Sequence, residues 1–323
     1  NAGTLTLNMT RAALIPYAIK GWELWNNTEK WLFGDVGTRK VNGLSLAFTE
    51  EEEELLFKRV EARQAMGAPI KFISGRKAQL LEPGLNDSVR SAAWCNKDGF
   101  TIAYLTGHAF RRALKQENVS VREYSKVNKI EIEKNYFKII FENNEHLKAK
   151  RIVLAGGVWL EEMLNWLNVK IKIKCLINQL IITERMPPVM KTVLSIANGL
   201  LSLKQFDNGT VLIGGGWQGI GDKKRGGVES IPENLIGNIR LACHVIPKLR
   251  YGRMVRVWLG LEAETADALP IIGKIPGISN AYVIGSVHSG YASGPYMGWL
   301  LSQLIMEQEP EMPLFDPNRL INK

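Results

Sequence analysis

The stretch that most constrains this chain lies near its C-terminal end, where Ala281-Tyr-Val-Ile-Gly-Ser-Val-His-Ser-Gly-Tyr-Ala-Ser-Gly-Pro-Tyr-Met-Gly-Trp-Leu-Leu-Ser-Gln-Leu-Ile-Met306 reads as strand, glycine-rich turn and helix. Ala281 to Ile284 is a short apolar run suited to a buried strand. From Tyr291 onward, Tyr296, Met297, Leu300, Leu301, Leu304 and Ile305 recur at helical spacing, and Ser289 or Ser293 can cap the helix. A glycine turn feeding a helix aims unpaired N–H groups and the positive dipole end at one point, which suits an anionic or electron-rich ligand. The spacing of Gly285 and Gly290 mimics a phosphate loop, but Tyr291 stands where that motif needs lysine, which excludes nucleotide hydrolysis of that type. A tight connection with glycines for packing alone is the plain alternative, and the local pattern leaves both open.

With 323 residues, 46% of them apolar and 23% charged, the chain has material for one large or two medium domains around a real core. The net charge of +9 invites a nucleic-acid reading. The basic residues are dispersed, however, with acidic ones between them, and a generally basic surface is the better account. Cys95, Cys175 and Cys243 form no C-x-x-C pair, which argues against a disulfide framework or a zinc site and fits a reducing, cytoplasmic setting. No apolar run approaches the length of a membrane span.

Residues 9–26 form a helix candidate broken by Pro16, and 30–48 reads as short strands separated by glycine turns. Thr49 and Glu52 make a capping box for a helix through Met66, with Glu50 to Glu54 in its first turn as a solvated, dipole-favoured start rather than a metal site. Lys77 to Pro83 and 103–117 read as further helices, Val119 to Phe141 as strands, and Arg151 to Trp159 as a buried strand running into paired glycines. From Val169 the pattern changes to strict alternation, KIKIKCLINQLIITE, the mark of an antiparallel strand with one wet face. Strands over 200–206 and 211–215 flank Asp207-Asn-Gly209, a hairpin signal, followed by a helix over 232–245 and a strand over 254–261.

Gly214-Gly-Gly216-Trp-Gln-Gly219 matches G-x-G-x-x-G, but loop follows it instead of a helix, so it reads as a glycine-rich strand end on which Trp217 can line a cavity. His108, His146 and His244 stand apart from one another, and His288 alone occupies the glycine turn, either near a ligand or as a surface-loop residue. Neither a serine nucleophile elbow nor a Cys–His signature is present. The charges after Arg256-Val-Trp-Leu-Gly260 read as a turn in which Asp267 bonds backbone N–H groups, or as a ligand-facing rim.

Taken together these pieces resemble the D-amino-acid oxidase superfamily of FAD-dependent amine oxidoreductases, which includes glycine oxidase, sarcosine oxidase and the dye-linked proline and opine dehydrogenases. The resemblance runs through Asn1-Ala2-Gly3, Val153-Leu-Ala155-Gly156-Gly-Val-Trp159, Arg256-Val-Trp258-Leu-Gly260, Thr265-Ala-Asp267-Ala-Leu-Pro270-Ile-Ile-Gly273 and Gly285 to Gly298, in that order. It implies an α/β (α+β) architecture: a Rossmann-like three-layer FAD-binding domain over 1–167 and 260–323, and an antiparallel substrate-binding sheet over 168–259. Residues 34–95 are candidates to pack with the substrate side. The family's first strand, G-x-G-x-x-G turn and helix are missing from these residues, so the resemblance implies a fragment that binds FAD poorly and is inactive by itself, or a flavin-free, non-catalytic subunit.

The resemblance also implies where FAD is held. Gly3 and Thr4 would lie near the flavin ring, Val127 near the adenine, and Ala155, Gly156 and Trp159 near the ribose and diphosphate. Gly285, Ser286, Ser289 and Gly290 would present the start of the last helix to the ring. Arg256, His288, Tyr291 and Trp217 would serve the substrate, an amine or amino acid of the glycine, sarcosine, D-amino-acid, proline or opine type. Where glycine oxidase places its carboxylate-gripping arginine, this chain has Glu262. A hetero- or homo-oligomer is the expected assembly, with no metal, nucleic acid or transmembrane partner.

Overall fold

The computed structural model describes residues 2–223, 227–287 and 290–321. Its contacts divide the chain into two compact units. The first is Asn1–Phe110, Ile177–Gly260 and Tyr291–Ser293; the second is Arg111–Leu176, Leu261–Gly290 and Gly294–Lys323.

The first unit is built on an eight-stranded sheet. Its order is Met254–Glu264, Lys174–Arg185, Thr210–Gly214, Ser202–Gln205, Val193–Ile196, Gly43–Ala47, Ser91–Cys95 and Ile70–Ser74. The strand expected from Val169 begins only at Lys174, and from there the alternation does what its period demands: Ile177, Gln179, Ile181 and Thr183 are all buried on one face. The two polar members of that row are paired. Gln179 bonds Gln218 and Ile231, and the Thr183 hydroxyl accepts from the Val211 N–H. The hairpin at Asp207-Asn-Gly209 forms, with Gly209 at φ +88°. One joint is parallel, Val193–Ile196 on Gly43–Ala47, and it brings the strands of 43–95 into the same sheet as those of 174–264.

The helix Glu50–Ala65 begins at Thr49, whose hydroxyl accepts from the Glu52 N–H, and it buries Leu56 and Val60. The reciprocal bond of the box reaches one residue further back than usual, from the Phe48 N–H to Glu52. Pro16 does not break the first helix. That helix starts at Ile15, so the proline sits in the first turn, where no N–H partner is lost. The helix Pro232–Val245 forms over the span its pattern predicts.

In the second unit a three-stranded sheet runs Ile152–Leu154, Ala281–Gly285, Ile271–Lys274, its first pair parallel and its second antiparallel. Ile152, Leu154, Leu160, Ile271 and Val283 form its core. A separate antiparallel sheet comprises Val127–Ile132, Phe137–Phe141 and His146–Ala149. The expected strand start at Val119 is wrong by eight residues: 119–122 is irregular and 123–124 a turn, all of it exposed, with Asn118 and Tyr124 at positive φ bending the chain out of an extended course. The last helix spans Gly290–Ile305 and contains Pro295. Among the described residues no helix is long and apolar enough to cross a membrane.

Candidate active site

In the second unit, Ile152–Leu154 and Ala281–Gly285 run parallel with Leu154 opposite Val283, so both strands end at the same edge of the sheet. The carboxyl ends of parallel strands are where open α/β sheets receive nucleotide ligands. The segments leaving that edge are Ala155-Gly156-Gly157 and Ser286-Val287, both singled out by the sequence. A Cβ on Gly156 would overlap the Met163 sulfur and one on Gly285 the Leu160 side chain, so bare backbone at both positions lets these side chains approach closely. Gly157 differs: its φ is +57° and the space where a Cβ would stand is open.

Ser286 has φ +51°, is buried, and its Oγ has no hydrogen-bond partner among the described residues. A strained serine with an unspent buried hydroxyl is costly unless something else occupies the hydroxyl. The sixteen-residue helix Gly290–Ile305 follows it, with the positive end of its dipole at Gly290. Ala155 and Trp159 are exposed and Val127 is half-buried at the start of its strand. His288 and Ser289 lie outside the described residues. These groups fit the diphosphate and ring of a dinucleotide: glycine backbone, a spare hydroxyl and a helix start at a parallel-strand edge.

The Thr265-to-Gly273 motif is a structural rivet. Asp267 accepts from the Leu269 N–H at 3.1 Å and from Arg319 through both oxygens, at 2.9 and 3.3 Å. Arg319 also donates to the carbonyls of Leu269 and Phe315. Burial works to raise the Asp267 pKa, but Arg319 and the backbone donors outweigh it and the net shift is downward. The solvated-turn account of Asp267 therefore holds, with an arginine partner fifty-two residues away that no local pattern announced.

In the first unit, Gly3 has φ +68°, its carbonyl accepts from the Thr101 N–H at 2.8 Å, and a Cβ on it would overlap the Thr101 carbonyl oxygen. Thr4 and Leu5 pair antiparallel with Phe100 and Gly99. Tyr291 joins the same group. Its hydroxyl is 2.6 Å from Thr101 Oγ1 and 2.6 Å from Thr106 Oγ1. Its ring stacks on Trp25 at 4.9 Å and 2°, and its carbonyl accepts from the Trp25 indole. Burial raises the Tyr291 pKa against the two threonine bonds.

Trp217 stands elsewhere in the unit, its indole N–H bonded to the Leu200 carbonyl and its ring over Gly237. Arg256 is exposed on its strand, with no hydrogen bond or ion pair among the described residues. The structure thus brings together Gly3, Thr4 and Tyr291, but not Trp217 or Arg256 with them.

Sequence reasoning missed Trp25, Asp98, Thr101, Lys204 and Arg319. Asp98 lies in Lys97-Asp-Gly, which reads as a plain turn, and Lys204 is a lone lysine in an alternating strand. Gly21 was missed too. A Cβ there would overlap the backbone carbonyl of Ala292, an atom that cannot step aside. Gly21→Ala is expected to cost about 2–3 kcal/mol in urea unfolding, through forced separation of the helix Ile15–Trp25 from residues 291–293.

Comparison with known proteins decides the family. The profile of the DAO family, described as FAD dependent oxidoreductase, matches residues 1–304. The chain belongs to this family. Proteins similar to it include one of the opine oxidase subunits of Rhizobium meliloti, 26% identical over 262 residues, or 79% of this chain and 67% of that one. Glycine oxidase of Geobacillus kaustophilus is 22% identical over 295 residues, or 90% of this chain and 76% of that one. Among solved structures, glycine oxidase from Geobacillus kaustophilus superimposes with a TM-score of 0.88 at 20% identity, covering 100% of this chain and 87% of that one. L-proline dehydrogenase from P.horikoshii gives 0.85 at 24% identity, covering 96% and 83%. The FAD-dependent oxidoreductase fold expected from the motifs is thereby confirmed, and FAD is the family's cofactor.

Proposed function

We propose that this FAD-dependent oxidoreductase oxidises an amine or amino acid. The observation that carries the reading is the buried, unpartnered Ser286 hydroxyl at a left-handed residue, beside glycine backbone and just ahead of a sixteen-residue helix. When bound, FAD supplies the acceptor for a hydride from the amine-bearing carbon, and the imine so formed hydrolyses in water.

The chain's own part is to bind, orient and exclude water. Ser286 would donate a hydrogen bond from its spare hydroxyl, and Gly285 and Gly290 would offer bare backbone beside it, with Ser289 assigned to the same group from the sequence alone. Ala155, Gly156 and Trp159 serve the ribose and diphosphate, Val127 the adenine, and Gly3 and Thr4 the ring. On the substrate side, Tyr291 acts as a fixed aromatic wall, since its hydroxyl is held by two threonines. Arg256 carries a permanent charge with no protein partner among the described residues, which suits a carboxylate. Trp217 and His288 complete the proposed substrate set. Substrates of the glycine, sarcosine, proline or opine kind are favoured by the names of the relatives, which include glycine oxidases and component chains of opine oxidase and sarcosine oxidase. The last two are each named as one subunit of a larger enzyme, which favours a hetero-oligomer, and the three free cysteines suit a cytoplasmic setting.

The test is the visible spectrum of the purified full-length protein. Bound flavin that bleaches anaerobically on adding one of these amines supports the reading, whereas a folded, colourless protein refutes it in favour of the flavin-free subunit. Arg256→Met is expected to raise KM for an amino acid roughly tenfold or more with the flavin spectrum unchanged. An unchanged KM removes Arg256 from the substrate side.

A further inference from the structure

Lys204 is the largest fully buried side chain among the described residues, 1% exposed in the strand Ser202–Gln205. Its ammonium donates to the Ala2 carbonyl at 2.5 Å and to the Thr4 hydroxyl. The rings of Phe100 and Phe206 each lie 5.7 Å from it. The ammonium has three N–H groups and only two acceptors among the described residues, so one donor is unspent.

The charged groups nearby are committed elsewhere. Asp98 directs its oxygens to Thr6, Leu7 and Asn8, and Arg39 pairs with Asp207 at the surface. Burial alone, with no charged neighbour opposing it, pushes the Lys204 pKa down to about 7. Isolating an ammonium in this way costs several kcal/mol, and an apolar side chain would fill the strand position without that cost. What the lysine gains is a grip on both residues that flank Gly3. That turn is already fixed on its other side by Thr101, and Gly3 passes it only because it has no Cβ.

We propose that Lys204 is a positioning residue for the flavin ring: its buried ammonium fixes the turn Ala2–Thr4 and gives it a positive charge that favours a ring that has taken up electrons. The proposal rests on the reading that Gly3 and Thr4 line FAD. A structural rivet would need only the two hydrogen bonds. A charge left uncompensated, with a donor to spare, acts at a distance on whatever lies against that turn.

The test measures the two-electron midpoint potential of FAD in the loaded wild type, Lys204→Met and Lys204→Arg by equilibration with a redox dye. At about pH 6, where Lys204 is charged, Lys204→Met is expected to reduce about tenfold less favourably, a fall of about 30 mV. By about pH 9, where Lys204 is neutral in the wild type, the gap closes. Lys204→Arg keeps its charge, so it matches the wild type at the lower pH and exceeds it about tenfold at the higher. If Lys204→Met does not fold or hold flavin, the arginine comparison alone decides. A difference under about twofold at the lower pH, or a gap that ignores pH, overturns the proposal and leaves a packing role. A wild type that retains no FAD overturns the functional reading itself, a separate and visible failure.

Discussion

Replacing Asp98 by alanine is expected to remove about 3–5 kcal/mol of folding stability, read as a lower urea midpoint at unchanged slope. The carboxylate is fully buried, yet four donors converge on its two oxygens: the Thr6 hydroxyl at 2.6 Å, the Leu7 N–H at 2.7 Å, the Asn8 side-chain amide at 3.0 Å and the Asn8 N–H at 3.5 Å. Burial pushes its pKa up, and the bonds from Thr6, Leu7, Cys95 and Asn8 work against that. Truncation strands these donors in a dry interior. It also empties the space that Gly43 leaves for the carboxylate, where a Cβ would overlap Asp98. Asp98→Asn turns an amide N–H2 toward donors that need an acceptor, and is expected to cost roughly 2 kcal/mol. A midpoint unmoved by both substitutions would mean that residues 6–8 are held by their neighbours alone. Because these residues directly follow Gly3 and Thr4, loss of Asp98 is expected to weaken FAD retention as well.

The second large effect is a stability that rises with pH. The Lys204 pKa is about 7 in the folded protein, against its ordinary value of 10.5 when unfolded. Between those values the unfolded chain holds a proton that the folded one has released, so unfolding becomes harder as pH increases. Lys204's contribution is complete above the unfolded pKa and is lost as pH falls toward the folded one. Across this window the difference amounts to on the order of 3–5 kcal/mol. Urea midpoints of wild type minus Lys204→Met, taken at intervals from about pH 7 to about pH 10, should therefore climb steadily, because the other groups cancel in the difference. A flat difference would mean that the ammonium is stabilised by something other than the two oxygens and two rings around it.

Much of the architecture could be read from the chain because the features responsible are local. A period of two from residue 174 becomes the alternating burial of Ile177 to Thr183, and Thr49 caps its helix through a residue three positions away. The order of five motifs sufficed to identify the family, and some of their residues answer a nearby backbone requirement. Gly273, at φ +151°, and the Asp267 turn are of this kind. The candidate site was legible as a list of positions but not as an arrangement. Tyr291 is separated by 266 residues from the Trp25 that stacks on it, and nothing in either neighbourhood announces the pair.

The sequence by itself determined the strand–turn–helix at 281–305, the helix caps, the hairpin at 207–209 and membership of the FAD-dependent oxidoreductases. Only the tertiary structure decided that Lys204 is dry, that Asp98 gathers the donors of residues 6–8, that Arg319 closes on Asp267 and that Ser286 keeps a spare hydroxyl. Propensity and periodicity act over a few residues and survive in the one-dimensional pattern. Desolvation depends on what distant segments pack over a side chain, so the charge state of a lysine or aspartate is fixed only once the chain has folded around it.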